Sequence, residues 1–153
     1  MGMSRLIAVV LAVSALFAAG APAVRAAGSE EDMTRQAAMA ARFAPFDNVT
    51  GTEWQPAFPF PSFRNAAVGE VDSSPVTLQT GAYRVVVLCN CTKMEVALFL
   101  PDGKEALADR TNDQAAMYAI DAPAPGQFVV GVQMQDCPED ACDYAFKVYK
   151  KTN

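Results

Sequence analysis

Four cysteines are the residues of this chain best suited to chemistry: Cys89 and Cys91, two apart, and Cys137 and Cys142, five apart. As thiolates they could hold zinc in a tetrahedron, or copper(I) with help from Met94 or Met134, which would make the chain a thiol-based metal-handling protein of the periplasm. Oxidised, they would form two disulfides. The C-x-C and C-x4-C spacings are not the paired C-x2-C knuckles of zinc sites, and no C-x-x-C at a helix start offers an activated thiol. Disulfides are therefore the expected state. Three connectivities are open. If the strands from Tyr83 onward alternate in direction, the loop after Cys89 and the loop after Met134 share one end of the domain, which favours bridges between the loops. Closing a loop of some fifty residues would also contribute about 4 kcal/mol, against about 2 kcal/mol for the small Cys137 to Cys142 ring.

Beside the second cysteine pair stand Asp136, Glu139, Asp140 and Asp143. Hard oxygen ligands of this kind could hold calcium, and a solvated acidic hairpin loop is the competing reading. No other cofactor is indicated. The chain has no histidine, so Ser-His and Cys-His nucleophile systems are excluded. Glycine-rich phosphate loops are absent too, and no residue group reads as catalytic. A non-enzyme is expected. The remaining candidates are aromatic: between Ala44 and Phe63, prolines alternate with rings, and Trp54, Phe58 and Phe60 could form an exposed platform for a ligand. Proline at 56, 59 and 61 fixes φ and removes donors, which predicts an extended segment. The favoured reading is that the segment lies over one face of the domain and buries its rings there.

These residues need elements to position them. Arg5, the apolar run Leu6 to Ala19 and the small residues up to Ala27 read as a secretory signal peptide cut after Ala26. The run is shorter than the ~20 residues a membrane span needs, and no later run is longer, so the mature chain is expected to carry no transmembrane anchor and to be periplasmic or secreted. Removing residues 1–26 leaves 10 basic against 17 acidic residues, a net charge of −7, which argues against nucleic acid as a partner. Residues 27–65 form an N-terminal extension. Ser29-Glu30-Glu31-Asp32 is a capped helix start, with Met33, Ala37, Ala40 and Ala41 on one helical face, followed by the proline and aromatic stretch.

Residues 66–151 then read as short strands separated by turns. Ala66 to Val71 and Val76 to Leu78 precede the run from Tyr83 to Cys89, which is apolar on both faces and belongs in the middle of a covered sheet. Met94 to Leu100 stops at the turn Pro101-Asp102-Gly103. Ala106 to Asp109 and Met117 to Ile120 flank the polar turn Thr111 to Asp113, and alternating strands run through Phe128 to Met134 and Tyr144 to Val148. Seven or eight short strands at this spacing predict an all-β fold, an antiparallel, jelly-roll-like β-sandwich, with a short N-terminal helix and the extended segment ahead of it.

Along these strands the chain resembles the bacterial pre-peptidase C-terminal domain. The likeness rests on V-T-L-Q-T-G-A-Y-R-V from Val76, V-A-L-F-L-P-D-G-K-E-A-L-A from Val96, A-P-A-P-G-Q-F-V-V-G-V from Ala122, and D-Y-A-F-K-V from Asp143. That resemblance implies a β-sandwich without catalysis that binds substrate or matrix, sometimes with calcium. Where such domains often carry acidic residues, Cys91-Thr92-Lys93-Met94-Glu95 stand here. The expected function is an exported binding module whose partner is a protein or polysaccharide of the cell envelope.

Overall fold

The computed structural model describes residues 30–50, 53–109 and 114–152. The residues read as a signal peptide, the expected Ser29 cap and the expected turn from Thr111 to Asp113 lie outside them. Within the described residues the chain is an antiparallel β-sandwich preceded by two helices, α1 (Glu30–Ala41) and α2 (Ala44–Thr50). Sheet A contains β1 (Trp54–Pro56), β2 (Ser62–Ala67), β4 (Gly81–Cys89), β7 (Ala115–Ala122) and β9 (Ala141–Lys151). Its order is β1-β9-β4-β7, with β2 also paired to β9. Sheet B runs β3-β8-β5-β6, made from β3 (Val71–Leu78), β5 (Lys93–Phe99), β6 (Glu105–Asp109) and β8 (Gly126–Asp136).

Alternation along the strands explains the layers. Tyr83, Val85, Val87 and Cys89 of β4 face sheet B, where they meet Met94, Val96, Leu98, Phe128, Val130, Val132 and Met134 in the central core. The other face of β4 is apolar as well, and Val86 and Leu88 are fully buried there. They are covered by Met39 and Phe43 of the helical segment, together with Ala145 and Tyr149 of β9. Thus β4 is the doubly covered strand its sequence predicts. The expected turn at Pro101-Asp102-Gly103 also forms, with Gly103 at φ 81°, a conformation that favours glycine. Pro75 sits within β3, which among the described residues pairs with β8 alone. An edge strand is where a residue without an N–H is tolerated.

Two expectations about the N-terminal segment are corrected. The buried face of α1 is set by Met39, followed one turn later by Phe43, while Met33 is 60% exposed and Ala37 and Ala41 are exposed. Large side chains gain more from burial than an alanine stripe does. The stretch from Ala44 to Phe63 is not extended throughout, because residues 44–50 form α2. Pro45 falls in its first turn, where a missing N–H costs nothing and φ is already helical. Further along, β1 and the first residues of β2 pair with β9, so the proline and aromatic stretch completes sheet A.

The helices are tied down by Asp47. One of its carboxylate oxygens accepts hydrogen bonds from Lys147 Nζ and from the Tyr149 hydroxyl, each at 2.6 Å. Arg42 Nη1 donates to the Cys89 carbonyl at 2.6 Å. Partial burial alone would raise the Asp47 pKa, but the Lys147 and Tyr149 hydrogen bonds outweigh it and hold the group below its ordinary value of 3.8. A carboxylate with a depressed folded-state pKa stabilises the fold above the unfolded-state pKa, and that contribution is lost as pH falls through the folded value. Asp47→Asn is therefore expected to cost about 1 kcal/mol at pH 7, since solvent screens this half-exposed pair. The difference from the parent should shrink as pH falls through the lowered folded-state pKa and vanish below it. Urea melts of both proteins at pH 7 and at successively more acidic pH check this.

Candidate functional site

Both disulfides are local: Cys89 pairs with Cys91 and Cys137 with Cys142, with Cα separations of 5.1 and 5.7 Å. Both separations lie in the ordinary range for a disulfide. The expected bridges between the two loops are not formed. The premise about geometry holds, because Thr92 N–H donates to the Asp136 carbonyl and Asn90 N–H to the Asp143 carbonyl, so the two loops adjoin. Asp143 N–H donates in turn to Asn90 Oδ1 at 2.8 Å. What joins the loops is this set of hydrogen bonds. Each disulfide instead pins one crossover between the sheets: β4 of sheet A to β5 of sheet B, and β8 of sheet B to β9 of sheet A. Cys89, Cys91 and Cys142 are fully buried in the central core beside Met94 and Met134. With both pairs oxidised, no thiolate is offered to a metal ion.

The calcium candidates are not assembled either. Among the described residues, no group of three or more His, Cys, Asp or Glu is placed to hold a metal ion. Glu139 and Asp140 are exposed in the loop, as is Asp136 at the end of β8. Asp143 is drawn to the other side of β9, where it accepts a hydrogen bond from Asn65 Nδ2 at 2.9 Å and lies 3.5 Å from the Arg35 guanidinium.

The aromatic candidates occupy the outer border of sheet A. Because β1 and β2 both pair with β9, the residues between them, Ala57-Phe58-Pro59-Phe60-Pro61, loop away from a continuous edge. Ala57 N–H donates to the Val148 carbonyl at 2.7 Å and its methyl packs against the central core, which fixes the base of the loop. Phe60 is 78% exposed and Phe58 39% exposed. Trp54 is only half-buried, and the Arg84 guanidinium lies over its ring at 4.2 Å from the centroid, a cation–π contact. Phe63 and Phe46 go the other way and pack under the helices. The segment thus divides, with some rings buried and two presented to solvent. Arg84 stands out in sequence as the one charge in an apolar strand, but its partner ring comes from β1, on the far side of β9.

A second feature was not visible in the sequence. Between α1, β2 and the start of β3 lies a groove of about 970 Å³ whose lining includes Arg35, Arg64, Asn65, Glu70, Asp72 and Tyr144. At its base the Tyr144 hydroxyl donates to Asp72 Oδ2 at 2.8 Å, and burial, reinforced by that carboxylate, raises the phenol pKa well above its ordinary value. The Ser74 hydroxyl, 2% exposed, lies near the same phenol oxygen without a well-formed hydrogen bond. Among the described residues, no helix is long and apolar enough to cross a membrane. No protein-family model matches the chain, and no curated protein matches it.

Proposed function

We propose that this chain is an exported, non-catalytic binding module of the pre-peptidase C-terminal kind, which uses the Phe58–Phe60 loop to hold a protein or polysaccharide of the bacterial envelope. The observation that carries this reading is the exposure of Phe60 on a loop whose base is fixed by Ala57 and whose freedom is cut by Pro59 and Pro61. Apolar rings left in water are unfavourable, and rings already ordered lose little entropy on binding. The two disulfides support an oxidising compartment. The signal-peptide reading of residues 1–26 points the same way.

Co-sedimentation with isolated cell-wall polysaccharide, and separately with envelope proteins on beads, tests the reading. The parent is expected to be retained by one of the two. The Phe58→Ala/Phe60→Ala double variant, unchanged in melting temperature, is expected to lose affinity by about thirtyfold or more, the scale of a removed aromatic anchor (about 2 kcal/mol or more). Retention by neither material, or retention unaltered in the double variant, would remove the loop as the binding surface.

A further inference from the structure

We propose that the free edge of β2 is a docking groove for an extended, basic peptide segment of another protein, which adds to sheet A as a further strand. The first observation is geometric. Phe63, Arg64, Asn65 and Ala66 all line the groove, yet successive side chains of a strand point to opposite faces. A cavity bordered by four consecutive residues of alternating facing fits one that follows the strand's edge. That edge is open: β2 pairs with β9 on one side, and no strand among the described residues pairs with the other.

The walls are those a strand would need. On one side stands α1, whose Asp32, Arg35, Gln36 and Met39 are spaced to share a helical face. On the other is the start of β3, from Glu70 to Asp72. The Tyr144 to Asp72 hydrogen bond at the base of the groove joins β9 to β3 and holds β3 against sheet A. A volume of about 970 Å³ is large enough to take a bound segment. Other borders are less suited to strand addition. Pro75 interrupts β3 and Pro56 interrupts β1, where proline removes a donor from an edge, whereas β2 itself, from Ser62 to Ala67, contains none.

Charge selects the partner. Four carboxylates, Asp32, Glu70, Asp72 and Asp143, line the groove against two guanidiniums, and Arg35 is engaged by both Asp32 and Asp143. The net negative potential favours lysine or arginine on the incoming strand. In this mode main-chain hydrogen bonds supply affinity and the alternating side chains supply selectivity.

The test is fluorescence anisotropy of the intact protein with a labelled hexapeptide of alternating lysine and valine. Saturable binding is expected. N-methylation of the alternate amides in one frame should weaken it about tenfold or more, while methylation in the other frame leaves it unchanged, because only one set of amides faces the edge. Glu70→Lys, at an exposed position, should weaken binding several-fold without altering the melting temperature. No binding, equal effects of the two methylation frames, or equal binding of an alternating glutamate and valine peptide would overturn the proposal. So would binding of a chitin oligosaccharide in place of the peptide, which would assign the groove to a saccharide. The inference stands apart from the Phe58–Phe60 loop. It is read with a different probe, and loss of envelope retention in the loop variant leaves it untouched.

Discussion

Phe43→Ala is expected to lower the unfolding free energy by about 3–5 kcal/mol, the usual cost of truncating a buried phenylalanine. Phe43 is 1% exposed and sits at the junction of the two helices, where its carbonyl accepts from the N–H groups of Phe46 and Asp47, both at 2.9 Å. Its ring is part of the layer formed with Met39, Val86, Leu88, Ala145 and Tyr149. Two helices of 12 and 7 residues are too short to be stable alone. They persist because they cover the outer face of β4 and β9. Removing the ring therefore weakens the helices and exposes an apolar strip of the sheet together, and dye binding to hydrophobic surface should rise. Urea unfolding checks this through a lowered midpoint, with a slope that falls to the extent that the strip is already exposed in the folded variant. Met33→Ala, at an exposed position of α1, is the control and should stay within about 0.5 kcal/mol of the parent. A Phe43 variant as stable as that control would mean that the helical cover contributes nothing to the sandwich.

Reduction of both disulfides is expected to lower stability by about 3–4 kcal/mol and to leave a folded sandwich. Each closes a very short loop, with sequence separations of 2 and 5. The chain-entropy relation gives about 2 kcal/mol for the larger ring and somewhat less for the smaller. Two bridges between the loops would have supplied about 6–7 kcal/mol by the same relation, because once the first is made the second closes only a short ring, enough for reduction to unfold a domain of modest stability. What holds the sandwich without them is the central core and the loop-to-loop hydrogen bonds of Asn90 and Thr92. Urea unfolding in the presence and absence of a phosphine reductant separates the two outcomes. A loss far above 4 kcal/mol, or complete unfolding, would show that the crossovers depend on the covalent links.

The strands were legible because their signal is local. The alternation of β8 and β9, the doubly apolar β4 and the Pro101 to Gly103 turn each specify themselves within a few residues. The helical cover was harder to read. Pro45 looks like a breaker until its place in the first turn of α2 is known, and Met39 with Phe43 matters only because Val86 and Leu88 lie opposite. The cysteine pairing escaped for a related reason. Strand direction placed the two loops at one end correctly, but the choice among four neighbouring sulfurs depends on how each crossover bends between sheets. Of the candidate site, Phe58 and Phe60 stood out as aromatic candidates, but proline spacing did not decide whether their rings face water or the domain. The Arg84 stack on Trp54, the Tyr144 to Asp72 bond and the β2 groove could not be anticipated. Each joins segments that are distant in sequence, and no local pattern encodes such a meeting.

The most direct measurement is peptide mapping, without reductant, of the protein recovered from the periplasm or medium of the cell that makes it. The account expects a mature N-terminus at Ala27, with Cys89 and Cys91 linked within one proteolytic fragment and Cys137 and Cys142 linked to each other. Protein confined to the cytoplasm with residues 1–26 retained and four free thiols would contradict it, and so would fragments joining the Cys89–Cys91 loop to the Cys137–Cys142 loop.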